Sequence, residues 1–147
     1  MPLTPLDNLV RAGKLKAEPA AQAELDGLLR SGRNRLKDAG NDSNSIDSRF
    51  DLAYNAAHAL SLAALRWHGY RSENRYLVFQ CLMHTLKLPA EQWRVLDQAH
   101  RQRNLAEYEG HVDVDEALLA ALIRVAGEVA QRVTTLGPVR KGKTRDR

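Results

Sequence analysis

The sequence predicts an all-α fold: an antiparallel up-and-down four-helix bundle plus a short N-terminal helix. Three observations predict it. Apolar residues recur at spacings of three and four through most of the chain, and strand-like alternation is almost absent. The segments between these runs are short and rich in Gly, Pro, Asn, Asp and Ser, so successive helices should be antiparallel neighbours. With 147 residues, 44% of them hydrophobic, the chain can bury one core of its own.

Thr4-Pro5 followed by Asp7 resembles a capped start and Gly13 a stop, which predicts a short helix over 5–12. Pro19 can open a longer helix through Leu25, Leu28, Leu29 and Leu36, closed by Gly40. A polar loop, Asn41–Ser45, precedes the strongest helical pattern. There Phe50, Ala53, Tyr54, Ala57, Leu60, Ala64 and Trp67 form one row, and Leu52, Ala56, Ala59 and Ala63 a second. Apolar residues over most of the girth predict a central helix, ended by Gly69. One narrow polar stripe remains on it: Ser48, Asp51, Asn55 and His58. Ser72 is placed to cap the next helix, through Tyr76, Phe79, Leu82, Met83 and Leu86. Pro89 stops that helix and starts another, through Trp93, Leu96 and Ala99 to about Glu107. Gly110-His111 is a break. Asp113 and Glu116 sit at capping-box spacing ahead of a last helix carrying Leu118, Ala121, Leu122, Val125, Val129 and Val133, before Gly137-Pro138. The expected division is an extension over 1–17, the helical bundle over 18–136 and a flexible basic tail over 137–147.

The net charge of +4 is concentrated at one end. Arg140, Lys141, Lys143, Arg145 and Arg147 stand against Asp146 alone, so the tail carries the whole excess and the body is balanced. Such a tail either adds non-specific attraction to nucleic acid or is a solvated end that aids solubility. The single cysteine, Cys81, lies in an apolar segment and reads as a buried structural thiol; no disulfide framework is possible. No membrane span and no signal peptide is expected, and a cytoplasmic location is the default.

The five histidines show no pair at metal-ligand spacing, and no metal or cofactor is expected. There is no glycine-rich phosphate loop and no Gly-x-Ser-x-Gly elbow. His58 and His84 read first as satisfied bundle histidines, and Trp67, Trp93, Tyr54, Tyr76 and Phe79 as core. The segment Arg101–Tyr108 differs. Arg101, Asn104 and Tyr108 fall on one helical stripe, which Arg94 and Asp97 extend; Arg103 lies on an adjacent row with His100 and Glu107. Arginine's planar fork suits phosphate, and Asn and Tyr add neutral hydrogen bonds. The alternative is a solvent face laced by Arg–Glu pairs near a helix C-terminus, where the dipole favours cations.

The helix Asp51-Leu-Ala-Tyr-Asn-Ala-Ala-His-Ala-Leu60, the following Gly69 and the later Arg103-Asn-Leu-Ala-Glu-Tyr108 resemble the HEPN superfamily (higher eukaryotes and prokaryotes nucleotide-binding) over roughly residues 20–135. The resemblance implies an antiparallel helical bundle that often dimerises, and a setting in toxin–antitoxin, phage-defence or related systems, where many members are metal-independent ribonucleases. Their signature is an arginine, four to six residues, then a histidine. Arg103 matches that arginine and Asn104 the polar residue after it. In members paired with a nucleotidyltransferase, a tyrosine near the histidine is modified, and Tyr108 is the candidate counterpart. The sequence departs from the signature: positions 108, 109 and 110 hold Tyr108, Glu109 and Gly110, and His111 comes one residue late. Arg94 and His100 satisfy the spacing but lie upstream of the Arg-Asn match.

A 2′-hydroxyl attack on phosphate needs a group titrating near neutrality, which tyrosine is not. The expected function is therefore non-catalytic binding of RNA, a nucleotide or a partner such as a nucleotidyltransferase, in a homodimer. Arg101, Arg103, Asn104 and Tyr108 would make the contact, faced by Asp51, Asn55 and His58. A ribonuclease toxin using Arg103 with His111 or His100, and a structural helical adaptor, are the competing readings.

Overall fold

The computed structural model describes residues 4–110 and 114–139. The described chain is mostly helical: α1 (Thr4–Arg11), α2 (Gln22–Ala39), α3 (Ile46–Trp67), α4 (Arg75–Gln80), α5 (Leu82–Thr85), α6 (Ala90–Glu109) and α7 (Glu116–Thr134). A pair of two-residue strands, β1 (Lys16–Ala17) and β2 (Tyr70–Arg71), runs antiparallel with Lys16 opposite Arg71. No helix among the described residues is long and apolar enough to cross a membrane.

Helix α3 is central: it packs on α2 and α7, and also touches α4, α5, α6 and β2. Its alanines at 53, 56, 57, 59, 63 and 64 are buried, which lets neighbouring helices approach closely. Gly32 of α2 lies directly over Leu60, where a Cβ would be 2.6 Å from Leu60 Cγ. The main core joins Phe50, Tyr54 and Leu60 of α3 to Leu25, Phe79, Leu96, Leu119, Leu122 and Val129.

A second core cluster anchors the N-terminal arm. Leu6 of α1 and Leu15 pack with Leu65, Tyr70, Val78 and Cys81. Arg66, 1% exposed, ties the same region together. It donates to both oxygens of Glu24 at 3.0 Å and to the carbonyls of Glu18, Pro19 and Tyr70 at 2.8–3.1 Å. Every arm of its fork has an acceptor, as a buried guanidinium requires. Tyr70 Oη donates to Asp7 at 2.5 Å, and burial together with that carboxylate pushes the phenol up to about 12.

Several boundaries differ from the sequence reading. The long helix starts at Gln22 rather than beside Pro19, with Ala21 at its N-cap. Asn74, not Ser72, caps the following helix by accepting from Leu77 N at 3.0 Å; Ser72 accepts from Asn74 N instead. That helix is broken at Cys81 into α4 and α5, although no Gly or Pro lies between Arg75 and Thr85. Asp115 rather than Asp113 caps α7, accepting from Leu118 N at 2.8 Å; Asp113 lies outside the described residues. Residues 137–139, expected to open a flexible tail, are tied down: Trp67 Nε1 donates to Gly137 O, and Val139 N to Gln22 Oε1. The rest of the tail lies outside the described residues.

Candidate functional site

Arg103 grows out of the core row of α6. Leu96 and Ala99 are fully buried, and Arg103 is the next residue at the same helical spacing. A position that higher up the helix holds leucine here holds a guanidinium, turned toward α3 where the core opens to solvent. Residue numbers run in opposite senses along this seam: Tyr54 meets His100, and Asp51 meets Arg103.

Two arginines converge on one ring. The guanidinium carbon of Arg103 lies 4.9 Å from the Tyr54 centroid, and that of Arg75, from the start of α4, lies 5.6 Å away. The ring's negative face offsets part of the cost of holding them there. Arg103 has two carboxylates at ion-pair distance, Asp51 at 3.9 Å and Glu107 at 4.0 Å, but hydrogen-bonds to neither. Arg75 donates to the neutral Asn55 Oδ1 at 2.9 Å and has no carboxylate partner among the described residues. Arg66, by contrast, is saturated.

Three further polar side chains complete the cluster. The Tyr54 hydroxyl and His100 Nδ1 are hydrogen-bonded at 2.8 Å, and Asn104 Nδ2 meets His100 Nε2 at 3.2 Å. Both imidazole nitrogens are thus engaged. Tyr76 and Phe79 enclose the His100 ring, with centroids at 5.1 and 6.4 Å. His58 sits edge-on to Phe79, with its Nε2 buried and without a hydrogen-bond partner among the described residues, so it is not the satisfied bundle histidine its position suggests. Burial, then Arg75 and Arg103, lowers the His58 pKa to about 4. Burial also lowers that of His100; Asp97 opposes this, while Arg103 and Arg75 add to it. Burial raises the Tyr54 pKa against the pull of the same two arginines. Burial first, and the two guanidiniums second, drive both histidines of the cluster toward the neutral form.

Beyond Arg103 the surface opens into a groove of about 340 Å³, lined by Asp47, Phe50, Asp51, Arg103, Ala106, Glu107 and Gly110. Gly110 ends α6 at φ 80°, a left-handed turn that glycine adopts without cost.

The predicted site residues divide. Arg103, Asn104, Asp51, Asn55 and His58 are brought together around Tyr54. Arg101 and Tyr108 are not: Arg101 is 73% exposed and pairs with Asp97 at 3.1 Å, while Tyr108 is 90% exposed. The stripe they share with Asn104 turns outward. His111 lies outside the described residues. Sequence reasoning missed Arg75 altogether and read Tyr54, Tyr76 and Phe79 only as core. Among the described residues no group of His, Cys, Asp and Glu is placed to hold a metal ion. No family model matches this chain, and neither a curated protein nor a solved structure does.

Proposed function

We propose that this chain is a HEPN-like four-helix protein that binds a nucleotide or RNA without cleaving it, with Arg103 and Arg75 as the groups that hold phosphate. The carrying observation is the convergence of these two guanidiniums on Tyr54 with no carboxylate inside hydrogen-bond range. An anion within reach of either guanidinium would meet a planar fork shaped for phosphate oxygens. The acids of the groove would repel a run of phosphates, so the reading is of one phosphate at the site. Both His100 nitrogens are hydrogen-bonded within the cluster, to Tyr54 and to Asn104, which supports binding over catalysis. The exposed Tyr108 at the end of α6 is accessible to a modifying nucleotidyltransferase partner.

The test is calorimetric titration of the full chain with a mononucleotide and with a short single-stranded RNA. Arg103→Ala should abolish binding, and Arg75→Ala should weaken it severalfold. Binding by Arg103→Ala at wild-type affinity would remove the basis of this reading.

One observation favours a ribonuclease as the second reading: an imidazole, His100, sits one turn from Arg103 in the same cluster. Metal-free cleavage of RNA that disappears in both His100→Ala and Arg103→Ala would establish it in place of the first.

A further inference from the structure

We infer that the N-terminal arm is a positioning clamp for Arg75: packed on one side of α4, it fixes the helix whose other side carries Arg75 to Tyr54, so that release of the arm withdraws Arg75 from the site. The link to binding rests on the phosphate-holding role proposed above for Arg75. The link between the arm and the place of the guanidinium does not.

Helix α4 has only six residues and stops at Cys81. A helix this short does not hold itself in water, so its place is set by what packs on it. Its side chains divide between two sides. Arg75, Phe79 and Tyr76 fall within one arc of about 100° around the axis. From that arc Arg75 meets Tyr54 and Asn55, while Tyr76 and Phe79 enclose His100. Leu77, Cys81 and Val78 fall within a second arc, also of about 100°, on the far side. These three belong to the cluster that holds Leu6 and Leu15 of the arm. Arg75 donates to the neutral Asn55 and has no carboxylate partner among the described residues, so its place follows that of the α4 backbone. The arm is a separable part: α1 has eight residues, Gly13 at φ 78° follows it, and Asp7 ties it to Tyr70.

The experiment uses the full chain carrying Trp67→Phe, which leaves Trp93 as its one tryptophan. Trp93 Nε1 donates to Phe79 O at 3.1 Å and its ring meets Tyr76, so its emission reports the seat of α4. Leu6→Asp combined with Leu15→Asp should lift the arm; Leu6→Ala is the milder variant, used if circular dichroism shows that the pair fails to fold. In the lifted state Cys81 should react with a thiol reagent about tenfold faster, as a buried thiol does when its cover opens. Trp93 emission should shift to the red, and AMP affinity should fall to that of Arg75→Ala. Added to Arg75→Ala, the arm substitutions should cause no further loss of affinity, which a general loosening of the fold would not reproduce. A reactive Cys81 with unshifted Trp93 emission would overturn the clamp, and so would a Cys81 that stays unreactive. Shifted Trp93 emission with AMP bound at wild-type strength would overturn the link to the site. A wild type that binds no AMP would remove the phosphate role of Arg75, and Trp93 emission would still decide the clamp.

Discussion

Arg66 grips Glu24 through two parallel hydrogen bonds of 3.0 Å, Nε to one carboxylate oxygen and Nη2 to the other. The same guanidinium also holds three backbone carbonyls, two of them, Glu18 and Pro19, in the N-terminal arm. Arg71 shares the two carboxylates, reaching Glu18 at 3.0 Å and Glu24 at 2.5 Å.

Replacing Arg66 by Ala should destabilise the fold by about 3 kcal/mol, because it leaves buried acceptors without donors. Arg66→Lys should recover only part of this, since an ammonium cannot serve a fork of five acceptors. Urea denaturation at pH 7 checks both. A variant within about 0.5 kcal/mol of wild type would show that the arm is held by Leu6 and Leu15 alone.

The Glu24 carboxyl sits below its ordinary value of 4.5, chiefly through its hydrogen bond to Arg66, against an opposing burial effect. A depressed carboxyl stabilises the fold fully above the unfolded-state value and loses that contribution as pH falls through the folded one. The stability gap between wild type and Glu24→Gln should therefore be constant above pH 4.5 and close below it. Chemical denaturation from pH 7 down to 3 reads this; a gap that persists undiminished at pH 3 contradicts it.

His58 titrates in a different window. Its folded value of about 4 lies below the ordinary 6.5, so between these the unfolded chain takes up a proton that the folded protein refuses. Stability should fall as pH drops from 6.5 toward 4, by at most about 3 kcal/mol. His58→Leu should flatten that slope while leaving the Glu24 limb below it. Equal slopes in the two proteins would count against the burial of His58.

Gly32→Ala should cost about 1–3 kcal/mol despite alanine's better helix propensity, because the new methyl would meet Leu60 Cγ at 2.6 Å and Cδ2 at 2.7 Å. The clash is with a side chain, so Leu60→Val in the same chain should recover part of the loss. A double-mutant cycle measures the coupling; additive effects would mean that α2 and α3 shift apart instead.

The helices were legible in the sequence wherever apolar spacing was long and its ends punctuated: α3 between the Asn41–Ser45 loop and Gly69, and α6 after Pro89. The break at Cys81 was not, since Arg75–Thr85 contains no breaking residue. At the site, polarity on one stripe singled out Arg101, Asn104 and Tyr108, yet all three are exposed and only Asn104 reaches the cluster, through His100. The readable signal was the reverse: Arg103 stands in the row of Leu96 and Ala99, where a charge is costly and must be held by something. What holds it, the Tyr54 ring, counts as core by every periodicity rule. Arg75 comes from another helix, so nothing local in sequence links it to Arg103.

The arm contacts have a kinetic consequence. Leu6, Asp7, Leu15, Glu18 and Pro19 find their partners in Leu65–Cys81, half the chain away, and α1 has few contacts of its own. Closing that loop before its partners exist gains nothing, so α1 docks only on a surface already assembled by α3, β2 and α4. The arm should then open as one unit ahead of the rest, its amides exchanging with deuterium together and sooner than those of α3 and α7.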